Sequence, residues 1–130
     1  MTLSGKNALI TGGKRKIGRG IALALAEAGC NIGINDLERD ADAEKTLNLI
    51  QKMKCKTTFL QADISESKQI GFLFSTFLNE SGSIDILVNN PFSTENQPFL
   101  EITEQNWDNT LNIGLKGFFL CSQHAAQAMV

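Results

Sequence analysis

The fold is decided by residues 7–20, which read NALITGGKRKIGRG. A short apolar run leads directly into a glycine-rich turn, and a helical pattern follows from Ile17 onward. Gly12, Gly13 and Gly18 permit a tight turn. A helix that begins there would direct unpaired N–H groups and about half a positive charge toward the turn. Four basic residues within 14–19 add favourable charge. The stretch therefore predicts a strand–turn–helix unit that binds phosphate.

Apolar runs and helical patterns alternate along the rest of the chain. After residues 7–11, three more short runs at 31–35, 57–62 and 84–89 predict strands. Helical patterns follow each run. The first ends at Gly29, the second covers about 40–54, and the third begins with Asp63 or Ser65 as its cap and ends at Gly82. This alternation predicts right-handed βαβ units, and hence an α/β fold with a doubly wound parallel sheet.

One continuous helix is predicted from about residue 104 to the end of the sequence. The pattern rests on apolar and small residues that fall roughly in register along one helical face. These residues are Trp107, Leu111, Leu115, Phe118, Ser122 and Ala125.

Composition limits the classes of function. With 130 residues, of which 42% are hydrophobic, the chain is long enough for one domain spanning 1–130. A net charge of -2 argues against nucleic acid as a partner, and no apolar run is long enough to span a membrane. Cys30, Cys55 and Cys121 show neither metal-ligand spacing nor a disulfide framework, which indicates reduced thiols and a cytoplasmic protein with no metal site.

A carboxylate follows the second predicted strand. Asp36 stands where a side chain can accept hydrogen bonds from the adenine-ribose hydroxyls of a dinucleotide, although it could also be a turn or capping residue. A P-loop is excluded, because Gly18 is followed by Arg19 rather than by Lys and a hydroxyl residue. A phosphoacceptor receiver domain is excluded as well, because the first strand ends without clustered carboxylates. The glycine turn and Asp36 together predict a dinucleotide-binding site.

The sequence resembles the short-chain dehydrogenase/reductase family from residue 6 to residue 130. The family's Thr-Gly-x-x-x-Gly-x-Gly is matched by Thr11, Gly12 and Gly18, and its third-strand aspartate by Asp63. Its Asn-Asn-Ala-Gly corresponds to residues 89–92, and its downstream block is matched at Trp107, Leu111, Leu115, Lys116, Gly117 and Phe119. Four ordered motifs at the expected spacings make the resemblance specific.

The resemblance implies a Rossmann-type, NAD(P)-dependent oxidoreductase that transfers hydride between nicotinamide and a carbonyl or alcohol substrate. Asp36 favours NAD as the cofactor, since its charge would repel a 2′-phosphate. NADP is the alternative, because Lys14, Arg15 and Arg39 could surround that phosphate. The expected cofactor-binding residues are Thr11, Gly12, Lys14, Arg15, Lys16, Ile17, Gly18, Asp36, Asp63, Ile64 and Asn89.

Several positions depart from the family pattern. Lys16 occupies the middle glycine position, so its side chain is expected to point away from the phosphates or to cover them. Pro91 and Phe92 replace Ala-Gly, which removes a backbone donor and adds a ring near the nicotinamide. Gly114 stands in place of the family's catalytic asparagine, and Asn112 is expected to face elsewhere.

The sequence contains no tyrosine, so the family's proton donor is absent and no catalytic residue is predicted. We therefore expect the N-terminal part of an oxidoreductase, truncated after the fourth βα unit and inactive alone. A non-catalytic dinucleotide-binding or regulatory module is the alternative. Uncovered apolar surface predicts poor solubility or self-association, and the resemblance implies a homo-oligomer through the last helix. His124, the only histidine, is expected to be structural.

Overall fold

The computed structural model describes residues 2–92 and 96–130. Its sheet contains four parallel strands in the order β3-β2-β1-β4. The strands are β1 (Asn7–Thr11), β2 (Asn31–Asp36), β3 (Thr57–Gln61) and β4 (Ile86–Val88). The chain moves outward from β1 to β3 and then returns to the other side of β1. The predicted Rossmann-type arrangement is confirmed.

Helices connect successive strands and follow the last one. They are α1 (Lys16–Glu27), α2 (Ala41–Lys52), α3 (Ser67–Ser81), α4 (Glu104–Leu111) and α5 (Phe118–Met129). A 3₁₀ turn occupies Phe99–Glu101, and a π-helical segment, Asn112–Gly117, joins α4 to α5. Gly29 and Gly82 follow α1 and α3 with φ of 99° and 79°, as expected for glycines that end helices.

Two apolar layers cover the two faces of the sheet. One joins alternate residues of β1 and β2, including Ile10 and Ile34, to α1 and α2. The other joins Leu9 to α3 and α5, where Phe74 and Cys121 are buried. Every residue of β1 is buried, because this strand lies inside the sheet with helices on both faces. The doubly wound architecture follows from these two layers.

Two local predictions were wrong. The fourth strand covers only Ile86–Val88 instead of 84–89, and Glu66 rather than Asp63 or Ser65 occupies the N-cap position of α3. Asp63 instead accepts hydrogen bonds from both the backbone N and the Oγ of Ser65, at 2.8 and 2.7 Å. It therefore stabilises the turn that precedes the helix.

The last helical stretch is interrupted, which changes the face that it buries. The π-helical turn within Asn112–Gly117 shifts the angular position of every later residue. Gly117, Cys121 and Ala125 are buried, whereas Trp107 and Leu115 are 61% and 65% exposed. The predicted single register does not hold. In the described ranges, no helix combines the length and apolarity that crossing a membrane requires.

Candidate functional site

The candidate site lies at the carboxyl edge of the sheet, beside β1. This strand pairs with β2 on one side and with β4 on the other, so the strand order reverses beside it: the chain runs from β1 through β2 to β3 and then crosses back to β4. A crevice opens at such a reversal of strand order, and ligands of doubly wound proteins bind there. The glycine turn of residues 12–18 connects β1 to α1 at this point.

The turn presents the N-terminus of α1 without a capping side chain. Arg15 is the N-cap residue, its backbone is extended, and its side chain makes no capping hydrogen bond. The first turn of α1 carries no acidic residue. Backbone N–H groups and the positive end of the helix dipole are therefore available to an anion. Gly13 N donates to Asn35 O at 3.1 Å, which ties the turn to β2.

Gly18 allows α1 to pack closely against the glycine turn. A Cβ built on Gly18 would overlap Gly12 O and lie 2.9 Å from both Gly13 Cα and Asn90 Nδ2. A Cβ on Gly12 would lie 2.9 Å from the Cβ of Pro91. The two glycines thus allow the turn, α1 and the residues after β4 to meet.

Lys16 adopts a conformation that usually requires glycine. Its φ is +49°, which lies in the left-handed region, and its side chain is exposed. This backbone geometry explains why the middle position of the turn favours glycine. The exposed side chain is compatible with both expectations for Lys16, that it points away from the phosphates or that it covers them.

Asp36 and Lys14 contact each other at the end of β2. The Asp36 carboxylate accepts from Leu37 N at 2.9 Å and from Lys14 N at 3.4 Å, and it lies 3.7 Å from Lys14 Nζ. Lys14 Nζ also donates to Asp40 Oδ2 at 2.8 Å. This hydrogen bond raises the pKa of Lys14 and lowers the pKa of Asp40. The Lys14 charge, which we expected to attract phosphate, is balanced by two carboxylates.

Arg19 is bound both to α2 and to the turn, where its Nη2 donates to Lys14 O at 3.1 Å. Its Nε donates to Thr46 Oγ1 at 2.7 Å, and its Nη2 pairs with Asp42 Oδ1 at 3.0 Å. The buried Thr46 hydroxyl in turn donates to Lys14 O at 2.6 Å. Of the four basic side chains counted in the sequence, Arg15 and Lys16 are exposed at the turn.

A cavity of about 260 Å³ follows the carboxyl edge from the turn to the end of β3. It brings together five of the predicted cofactor-binding residues. The lining consists of Gly12, Arg15, Asn35, Asp36, Leu37, Ala62, Asp63, Ile64, Pro91, Phe92 and Ile113. Gly117 lies against this wall, because a Cβ there would stand 2.7 Å from Ile64 O.

The other predicted residues lie outside this lining. Thr11 is buried, and its Oγ1 donates to Val88 O at 3.1 Å, so it joins β1 to β4. Asn89 Nδ2 donates to Ser122 Oγ at 3.0 Å, and its buried Oδ1 has no hydrogen-bond partner within the described residues. Ile17 is 69% exposed at the start of α1. Lys14, Lys16 and Gly18 belong to the turn but do not line the cavity.

Two asparagines that support the site, Asn90 and Asn35, were not among the predicted site residues. Asn90 Nδ2 donates to Gly12 O at 2.8 Å, and its backbone N lies 3.4 Å from Thr11 Oγ1. Asn35 is buried and donates to Leu60 O and Ala62 O at 3.0 and 3.1 Å. Their positions at strand ends were the available signal, because polar side chains there can fix the turns that border the crevice.

Two residues that depart from the family pattern, Phe92 and Gly114, lie in the region expected near the nicotinamide. Phe92 is 75% exposed at the mouth of the cavity. Gly114 lies in the π-helical segment, and a Cβ built on it would meet nothing within 4 Å.

His124 stacks on Phe74 with ring centroids 5.4 Å apart, which agrees with a structural role. Across the described ranges, no three or more His, Cys, Asp or Glu residues are grouped as a metal site.

Fold and crevice together define a doubly wound protein of the dinucleotide-binding class. The family profile described as short chain dehydrogenase matches residues 6–130. The chain belongs to the short-chain dehydrogenase family.

Curated relatives agree with this assignment. The chain is 34% identical over 125 residues to 3-oxoacyl-[acyl-carrier-protein] reductase FabG of Staphylococcus aureus, covering 96% of this chain and 51% of that protein. It is 35% identical over 124 residues to the hydroxynaphthalene reductase-like protein Arp2 of Metarhizium acridum, covering 95% and 46%. The chain spans about half the length of these relatives.

Solved structures show the same fold. A short chain dehydrogenase from Burkholderia cenocepacia, in complex with NADP, superposes with a TM-score of 0.94 at 30% identity, over 98% of this chain and 52% of that one. A short-chain type dehydrogenase/reductase from Mycobacterium marinum gives a TM-score of 0.93 at 31% identity, over 98% and 51%. Both cover essentially the whole of the present sheet and its helices.

Proposed function

We propose that this chain forms the dinucleotide-binding part of an NAD(P)-dependent oxidoreductase that transfers hydride between nicotinamide and a carbonyl or alcohol substrate. The observation that carries the proposal is the N-terminus of α1, which has no capping side chain. It follows the glycine turn and lies at the crevice beside β1. A pyrophosphate would lie against these N–H groups, where the helix dipole favours negative charge. The adenosine would extend along the cavity toward Asp36 and Asp63.

Asp36 would hold the adenine ribose. Backbone hydrogen bonds from Lys14 and Leu37 orient the carboxylate, and an oriented carboxylate can accept hydrogen bonds from the ribose hydroxyls. Asp63 and Ile64 would border the adenine at the end of β3. Asn90 would act as a positioning residue, because its bond to Gly12 O fixes the turn that faces the pyrophosphate.

We propose NAD rather than NADP as the preferred cofactor. Two of the basic residues that could surround a 2′-phosphate are already paired. Lys14 is bound by Asp40, and Arg39 Nε donates to Glu44 Oε1 at 2.6 Å. Arg15 remains beside Asp36 at the cavity. A 2′-phosphate would therefore meet the Asp36 charge with little compensation.

Calorimetric titration with NADH and NADPH tests this preference. Unit charges about 4 Å apart interact by roughly 1 kcal/mol in water and about 4 kcal/mol near a protein surface. The Asp36→Asn variant should therefore lower the ratio of NADH affinity to NADPH affinity by at least about fivefold. Glu38→Gln is the matched control, since it removes an equal charge from an exposed residue that does not line the cavity. Tighter binding of NADPH by the unmodified protein would refute the NAD preference.

We further propose a cytoplasmic homo-oligomer. Support for self-association comes from apolar side chains that are exposed along α4, the π-helical segment and α5, including Trp107, Leu115 and Phe119. Burying such surface against a second copy would remove it from water. Sedimentation equilibrium tests the association, and the Leu115→Glu variant should weaken it. A monodisperse monomer would contradict this part of the proposal.

A further inference from the structure

Two of the three cysteines lie side by side at the amino edge of the sheet. Cys30 directly precedes β2, and Cys55 lies two residues before β3. The register of the two strands pairs Ile32 with Thr57. Moving back two positions along both strands places Cys30 opposite Cys55. The two cysteines are 25 positions apart in the sequence.

Hydrogen bonds continue the alignment of β2 and β3 beyond the regular strands. Ile32 N donates to Lys56 O at 2.9 Å. Lys56 N donates to the side-chain oxygen of Asn31 at 3.3 Å. The two chain segments therefore still run together one residue away from the cysteines. Neighbouring strands are about 4.8 Å apart, which falls within the Cα separation of about 4.4–6.8 Å that a disulfide requires.

Both thiols belong to the same apolar layer. Cys30 packs with Ile32 and Ile34 in the layer beneath α1 and α2, and Cys55 and Phe59 pack against that same layer. Side chains two residues apart on a strand share a face. The two cysteines thus point to one side of the sheet, as a direct bond between their sulfurs demands.

The two thiols differ in access. Cys30 is fully buried, whereas Cys55 is half-buried and follows the exposed Lys54, whose φ is +63°. Cys55 Sγ lies 3.2 Å from Ala26 O at the end of α1. Burial raises the pKa of the Cys30 thiol, and the nearby Cys55 raises that pKa further. An oxidant in solution would therefore reach Cys55 first.

We propose that Cys30 and Cys55 form a reversible disulfide when the protein meets a hydroperoxide. The Cys55 thiolate attacks the peroxide oxygen and becomes a sulfenic acid, while the O–O bond breaks and the leaving oxygen takes up a proton. The Cys30 sulfur then attacks the Cys55 sulfur, its proton goes to the departing hydroxide, and water leaves. Two thiols lose two electrons and the peroxide gains them.

Cys121 provides an internal control. It is fully buried in the other apolar layer, between α3 and α5, away from the first two cysteines. Burial raises the pKa of its thiol to about 11. A thiol that stays protonated and shielded reacts slowly with peroxide. Cys121 should remain free while the pair is oxidised.

Peptide mapping tests the proposal on the whole chain. The reduced protein is treated with one equivalent of hydrogen peroxide, alkylated and digested with trypsin. Cleavage after Lys and Arg places the three cysteines in separate peptides, namely residues 20–39, 55–56 and 117–130. We expect the first two to appear joined, at the sum of their masses less two hydrogen atoms, and to separate after reduction. Residues 117–130 should carry only the alkyl group.

Variants make the outcome decisive. Cys55→Ser should leave Cys30 unoxidised, and Cys30→Ala should stop the reaction of Cys55 at the sulfenic acid, detectable with dimedone. Cys121→Ser should form the linked peptide like the unmodified protein. Circular dichroism establishes that each variant is folded. A folded protein whose Cys55 instead forms a disulfide between two chains, or from which the linked peptide is missing, would overturn the proposal. Neither outcome depends on dinucleotide binding.

Discussion

Replacing Gly18 by alanine is the most informative perturbation of the glycine turn. The new methyl group would overlap Gly12 O and lie 2.9 Å from Gly13 Cα, both of which are backbone atoms. No side-chain rotation can relieve these two contacts. Helix α1 must therefore move away from the turn, and the N–H groups at its first turn must move with it.

The expected cost follows from this overlap. Forcing an additional methyl group into a closely packed site destabilises a protein by about 1–3 kcal/mol. Alanine normally stabilises a helix by about 0.5–1 kcal/mol relative to glycine, so the clash opposes an intrinsic gain. We expect Gly18→Ala to lower the free energy of unfolding and to weaken NADH binding by at least about tenfold, which equals roughly 1.4 kcal/mol.

Gly20 supplies the matched control, two residues along the same helix. A Cβ built there meets nothing within 4 Å. Gly20→Ala should raise the free energy of unfolding by about 0.5–1 kcal/mol and leave NADH affinity unchanged. Urea denaturation and calorimetric titration measure both quantities. If the Gly18 variant matched the Gly20 variant in stability and affinity, the close-packing explanation of the turn would be refuted.

Three further predictions concern the residues that support the turn. Thr46→Val removes the hydroxyl that donates to Lys14 O and should lower the free energy of unfolding in urea by about 1–3 kcal/mol; an unchanged midpoint would contradict it. Lys16→Gly relieves the left-handed φ of +49° and should raise the free energy of unfolding by about 1 kcal/mol, and the melting temperature with it. A lower melting temperature would count against backbone strain at Lys16. Hydrogen bonds lower the pKa of Asp40 and of Asp85 from 3.8, so their stabilisation is complete above that pH and is lost as the pH falls below it. Acid unfolding of Asp40→Asn should show a shallower pH dependence in that range, and an identical profile would exclude the Asp40 contribution.

The layered fold could be predicted from the sequence because its signals are local. Apolar runs marked each strand within one or two residues at most ends, and Gly29 and Gly82 marked the ends of two helices. The interrupted last helix could not be predicted in the same way. An inserted residue in a helical turn depends on packing, here on the close contact of Gly117 with Ile64 O. A periodic pattern assumes an uninterrupted helix.

The sequence predicted where the candidate site lies, but it did not predict which side chains contact each other there. Gly12 and Asp36 lie at the cavity, as their places after two strands indicated. The partners of Lys14 could not be read in the sequence, because Asp40 meets it only after α2 folds back beside the turn. The same holds for Asn90, whose contact with Gly12 joins residues that are 78 positions apart. Local spacing cannot reveal such long-range bonds.

The central claim is that the amides of residues 12–18, together with Asp36, bind a dinucleotide. An amide NMR titration of the isotope-labelled protein with NADH at millimolar concentration tests it most directly. We predict that the largest shifts occur at Gly12, Gly18 and Asp36, with smaller ones near Asp63 and none at the amino edge of the sheet around Cys55. Unchanged amide signals along the turn with both NADH and NADPH would contradict the claim.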